Sequence, residues 1–131
     1  RNMPYIEIAP DVFMPMVNHG IGNQTKWLEL GGRGIDTAYD YRIFHTRVNG
    51  RVADAVRSGM IKRSDLFITT KIPCCPSQWY PLASAVCSGM DESIIINSTS
   101  KEIAKSLTNA GLDTADLLLL HWPCEHFEDT V

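Results

Sequence analysis

Asp36, Tyr41, Lys71 and His121 are the residues whose types and settings in this chain suggest chemistry. Asp36 stands near the end of a short apolar run in the stretch Gly31 to Tyr41, and Tyr41 follows closely. Lys71 ends the apolar and β-branched run from Leu66 to Thr70, and His121 ends the run from Leu117 to Leu120. A carboxylate, a phenol, an ammonium and an imidazole in one pocket could protonate a carbonyl oxygen. Reducing a carbonyl puts negative charge on that oxygen, and a proton must arrive as the charge develops. A free phenol, with a pKa of about 10, is a weak acid at neutral pH. A neighbouring ammonium favours its ionised form. In this scheme Tyr41 donates the proton, Lys71 assists it, Asp36 holds Lys71 charged and aimed, and His121 hydrogen-bonds the carbonyl oxygen. Each residue also has a plainer use. Asp36 suits a turn cap, Tyr41 half-buried packing, Lys71 a solvated strand end, and His121 a satisfied structural histidine beside Trp122-Pro123.

The surrounding elements must bring these four together. Asn2 to Phe13 reads as short extended pieces broken by Pro4 and Pro10, with Pro10-Asp11 as a turn and a leading hairpin as the outcome. Met14 to Gly22 reads as a strand entering a glycine-containing loop. That loop lacks the order and the Lys-Ser/Thr ending of a phosphate loop. Asn23 or Thr25 caps a short helix through Trp27, Leu28 and Leu30, and Gly31-Gly32 stops it. Arg33 to Ala38 is the next strand. Val48, Val52, Ala55 and Val56 recur at helical spacing, opposite Arg51, Asp54 and Arg57.

Leu66 to Thr70 is the clearest strand, and Pro73 forbids a simple continuation. Thr99 and Glu102 have capping-box spacing before a helix whose stripe is Ile103, Ala104, Leu107 and Ala110, with Gly111 as its stop. Asp116 to Leu120 reads as a strand buried on both faces. The alternation of strand and helix predicts an α/β fold with parallel strands and covering helices. All four polar candidates then fall at or just past the C-terminal ends of strands, where such folds bind ligands.

The 131 residues suit one domain, and 44% hydrophobic with 21% charged residues allows a core. A net charge of −3 without clustered Lys/Arg disfavours nucleic-acid binding. No run is long and apolar enough to predict a membrane span. The chain opens on Arg1 rather than Met, which fits a trimmed or processed chain. Cys74, Cys75, Cys87 and Cys124 match no zinc pattern well, and no metal is expected. Free thiols are the simpler reading, with a disulfide from Cys87 to either neighbouring cysteine left open. Asn23-Gln24-Thr25 and Asn97-Ser98-Thr99 match the glycosylation pattern, which chance also explains.

Three linked motifs resemble the aldo-keto reductases. Gly32-Arg33-Gly34-Ile35-Asp36-Thr37-Ala38 with Tyr41 is similar to that family's strand-two motif. Leu66 to Lys71 is similar to strand three. Leu112-Asp113, then Asp116 to Pro123, is similar to strand four, and Met14-Pro15 with the loop at Gly20 resembles the strand-one entry. The resemblance covers most of residues 3–123. It implies Asp36, Tyr41, Lys71 and His121 at catalytic positions, Gly20, Ile21 and Asp36 beside the cofactor, and His121 and Trp122 beside the substrate. It also implies a (β/α)8 barrel, NADPH, a small aldehyde or ketone, and a cytoplasmic location, an organelle being open if the N-terminus was processed.

The chain departs from the family pattern in four places. Arg42-Ile43-Phe44-His45 replaces the usual Asn-Glu or Asn-Gln pair, and reads as an altered loop. Asn18-His19-Gly20-Ile21 replaces Gly-x-Gly-Thr. Cys74 to Asn97 reads as an insertion. A full barrel needs roughly 250 residues, so residues 1–131 read as one domain, a partial (β/α)8 barrel of about four βα units. The second half of the fold normally grips most of the cofactor. A missing C-terminal half or another chain is expected to cover the open barrel edges. Two functions follow as expectations: NADPH-dependent carbonyl reduction by the completed barrel, or a non-catalytic, reductase-derived structural or interaction subunit.

Overall fold

The computed structural model of the chain describes residues 3–41, 43–72, 101, 103–105, 107, 108 and 112–122. It opens with an antiparallel hairpin of β1 (Tyr5–Ala9) and β2 (Val12–Pro15), with Pro10-Asp11 at its turn. Asp11 takes the left-handed conformation there, φ 61°, which Asp tolerates better than most residues. Met14 and Pro15 belong to this hairpin, so the expected strand from Met14 to Gly22 is corrected to β3 (Asn18–His19) alone. Beyond it, β3, β4 (Gly34–Asp36), β5 (Phe67–Ile72) and β6 (Leu117–Leu120) pair in that order as an all-parallel sheet.

Helix α1 (Gln24–Glu29) joins β3 to β4. Its cap is Asn23, whose side chain accepts from the Lys26 N–H at 3.0 Å; the alternative, Thr25, lies inside the helix. Gly31, at φ 93°, follows its end. At Gly32 the reason for glycine is steric. A Cβ there would lie 2.1 Å from Trp27 Cε2, and that indole is pinned by its Nε1–H donating to Gly34 O at 2.9 Å.

Helix α2 (Ile43–Arg57) joins β4 to β5 and starts well before the expected Val48. The altered loop expected at residues 42–45 is therefore corrected: Ile43 to His45 form the first turn of α2. Val48, Val52 and Ala55 are buried as their spacing requires, and Arg51, Asp54 and Arg57 face out. Residues 101, 103–105, 107 and 108 are helical. Ile103 and Leu107 are buried there, but Ala104 is exposed, so it leaves the expected stripe. The core lies between the helices and one face of the sheet: Ile35, Ile68 and Ile72 pack with Leu28, Val48, Val52, Ile103 and Leu107. Thr99, Glu102, Ala110, Gly111, the insertion expected at 74–97 and all four cysteines lie outside the described residues. No described helix is long and apolar enough to cross a membrane.

The strand expected to be buried on both faces is the exception. Among the described residues β6 pairs with β5 alone, and Leu118, Leu119 and Leu120 are 47%, 40% and 44% exposed. An apolar run suited to a sheet interior is here an edge. Its entry is clamped by Arg63. The guanidinium donates to Leu112 O, Leu66 O and Thr114 O at 3.0, 3.2 and 2.6 Å and pairs with Asp116 Oδ2 at 2.8 Å. That same Oδ2 accepts the Ile68 N–H at 2.7 Å, tying the start of β6 to β5. Arg63→Ala is expected to cost about 2–3 kcal/mol, because bonds to charged groups contribute about 1.5–3 kcal/mol and stranded acceptors add to the loss. Urea unfolding would show a lower midpoint at unchanged slope. Lys at this position is expected to recover less than half, lacking the planar fork.

Candidate active site

Strand parity decides which side chains share the face opposite the helical core. Successive residues of a strand point to opposite faces. On β5 the core face takes Ile68 and Ile72, which leaves Phe67, Thr69 and Lys71 on the other. Asp36 pairs with Thr69 and Leu119 with Lys71, so both lie on that second face, and His121 follows Leu119 by two positions along the chain. The His121 N–H donates to Ile72 O at 2.8 Å, extending the ladder one step past β6. Tyr41 reaches the face differently. The backbone leaves β4 through Thr37 and Ala38 and tightens into a 3-10 turn over Tyr39–Tyr41, closed by the Tyr41 N–H to Ala38 O at 3.1 Å.

The four residues converge. Lys71 Nζ lies 2.5 Å from Asp36 Oδ1 and donates to Thr37 O at 3.0 Å. The same Nζ is 5.6 Å from the centre of the Tyr41 ring. The Tyr41 and His121 rings meet edge to face with centroids 5.5 Å apart. Trp122, 9% exposed, stacks on His121 with centroids 5.0 Å apart and limits how that imidazole can turn. Lys71 is the fifth residue of the six in β5, one step before its end, and its rigid strand position suits the aiming of a long side chain. Lys71 is 15% and Asp36 39% exposed at the side chain, so the ion pair sits at a rim that solvent still reaches.

Gly20 and Ile21 lie beside this rim. A Cβ on Gly20 would come 4.0 Å from Asp36 O, and Ile21 is 53% exposed. Gln24, and Arg51 from the outward face of α2, hold this loop in a role the sequence patterns did not assign them. Gln24, fully buried, donates to Gly20 O at 2.8 Å and accepts from Arg51 Nη1 at 3.1 Å. The same Arg51 nitrogen donates to Gly22 O at 2.5 Å. A buried polar residue must find partners, but nothing local in the sequence says that Gln24 is buried. A separate cleft of about 330 Å³ opens at the other end of β5, lined by Tyr5, Phe13, Arg33 and Phe67 among others, and does not adjoin Lys71.

Comparison with known proteins agrees with these motifs. Residues 25–130 match the model of the aldo/keto reductase family. An aldo-keto reductase of Mycobacterium tuberculosis is 33% identical over 129 residues, which covers 92% of this chain and 38% of the relative. A D-galacturonate reductase of Hypocrea jecorina is 35% identical over 96 residues, covering 73% of this chain and 24% of the relative. The crystal structure of a Bombyx mori aldo-keto reductase in complex with NADP superimposes with a TM-score of 0.61 at 27% identity, covering 94% of this chain and 39% of that one. The chain thus spans roughly a quarter to two fifths of the length of these curated relatives.

Proposed function

Because the chain belongs to the aldo-keto reductase family, we propose that it carries the proton-donating half of a site that reduces an aldehyde or ketone to an alcohol. One observation carries this reading: Lys71 Nζ bridges Asp36 and the Thr37 carbonyl while standing 5.6 Å from the Tyr41 ring centre, with His121 against that ring. Tyr41 supplies the proton to the developing alkoxide. Lys71 stabilises the negative charge left on the phenol, and Asp36 keeps the ammonium in place. His121 donates a hydrogen bond to the carbonyl oxygen and turns its carbon toward the cofactor side, with Trp122 behind it.

NADPH would supply the hydride when bound; the structure of the Bombyx mori relative is a complex with NADP. The residues present fit the nicotinamide and ribose end of that molecule. Gly20 leaves room beside Asp36, Ile21 offers exposed apolar surface, and the part-exposed Asp36 carboxylate can accept a ribose hydroxyl. Grips for the pyrophosphate and adenine belong to the remainder of a barrel, which would also cover β6. A cytoplasmic location goes with this reading. Titrating the protein with NADPH should give a saturable change in tryptophan or cofactor fluorescence, and a generic aldehyde should then drive NADPH consumption. Absence of any saturable signal up to millimolar cofactor defeats the proposal.

The exposed apolar edge Leu118–Leu120 favours a second reading, in which the chain is a non-catalytic subunit whose sheet is completed by another chain. Saturable NADPH binding with aldehyde-dependent turnover would exclude it.

A further inference from the structure

We propose that His45 is a positioning residue for Lys71, acting through Thr37. The inference rests on the reading of Lys71 as the partner of Tyr41. It starts from the corrected beginning of α2. With the helix running from Ile43, His45 sits in its first turn and Asn49 lies one turn later on the same face. His45, Asn49 and Thr37 are 4%, 2% and 1% exposed, an unusual set of polar groups to bury. They are joined. Asn49 Nδ2 lies 3.1 Å from His45 Nε2, and His45 Nδ1 lies 3.2 Å from Thr37 Oγ1. An amide N–H donates, so Nε2 accepts and Nδ1–H is directed to the threonine hydroxyl.

Thr37 is where this chain of bonds meets the site. Its N–H donates to Thr69 O at 2.9 Å, its side chain is held by His45, and its carbonyl accepts from Lys71 Nζ at 3.0 Å. An ammonium has three donors. Asp36 and the Thr37 carbonyl direct two of them, and the remaining direction is thereby restricted. Asp36 is 39% exposed at its side chain and can adjust; the Thr37 carbonyl is the firmer of the two guides only while its peptide cannot rotate. The Thr69 ladder bond fixes one side of that residue, and His45 fixes the other.

The test reads the Lys71 ammonium directly, so it does not depend on turnover. In nitrogen-15 NMR of the protein, Lys71 should give an ammonium signal with slowly exchanging protons. His45→Ala and Thr37→Val should each speed that exchange about fivefold or more, the scale of one lost hydrogen bond, and the double variant should be no faster than either single one. His45→Gln offers an amide donor and acceptor in place of the ring nitrogens and should restore slow exchange, as should Thr37→Ser. Where the reduction is measurable, His45→Ala should lower kcat several-fold at nearly constant KM. If His45→Ala does not fold, the Thr37→Val and Thr37→Ser pair decides. No slow ammonium signal in the parent, unchanged exchange in folded Thr37→Val, or additive effects would overturn the proposal. A held Lys71 in a protein that consumes no NADPH would instead defeat the reduction reading and leave the positioning intact.

Discussion

Tyr41→Phe is expected to lower carbonyl reduction by about 10²–10⁴-fold, the range typical for loss of a positioned general acid. The fall should appear in kcat, while KM and NADPH affinity change little. The reason is geometric. Phenylalanine keeps the ring that His121 meets edge to face and that lies under Lys71. It removes only the hydroxyl. Packing, the 3-10 turn over Tyr39–Tyr41 and the Asp36–Lys71 pair should all survive, so the unfolding midpoint should move little. Steady-state kinetics on the protein, with fluorescence titration of NADPH beside them, separate the two quantities. Rates equal to the parent would remove Tyr41 as the proton donor.

Lys71→Met should cost nearly as much, about 10²–10³-fold in kcat, through loss of the charge facing the phenol. Methionine fills a similar volume, so the effect is electrostatic before it is steric. It leaves Asp36 without its cation, but that carboxylate is 39% exposed at the side chain and can be solvated. Stability should therefore fall modestly. The sharper expectation concerns combination. If Lys71 acts on the reaction through Tyr41, the double variant Tyr41→Phe with Lys71→Met should be no slower than Tyr41→Phe alone, because parts of one device are not additive. Independent, multiplying losses would show that Lys71 acts on something else. Lys71→Arg should not rescue. A planar guanidinium is larger and spreads its charge over three nitrogens, so held by Asp36 and Thr37 O it does not present the compact point charge that the ammonium does.

Much of the frame was legible in the sequence because its signals are local. Asn23 precedes an apolar run and caps α1, Pro10-Asp11 turns the hairpin, and Val48, Val52 and Ala55 recur at the helical period and are buried. The four candidates stand at strand ends and within motifs that resemble the family's, and parity puts Asp36, Lys71 and His121 on one face. The errors were local as well. Arg42 to His45 reads as an altered loop because it replaces the family's Asn-Glu or Asn-Gln pair and precedes the apolar period that begins at Val48, yet Ile43 begins a helix. Ala104 fits the helical stripe but is exposed, since small residues mark a core position weakly.

The order of strands and helices and the parallel sheet are thus properties of the sequence alone, carried by periodicity and residue type, and the candidates Asp36, Tyr41, Lys71 and His121 are legible there through residue type and the motifs that resemble the family's. The tertiary structure decided the rest. It brought the Thr37 carbonyl to Lys71, buried Gln24 under the Gly20 loop and placed His45 behind Thr37. Those outcomes depend on sheet register and on which neighbours cover a face. Both are set by contacts between residues far apart in the chain, which no local pattern records.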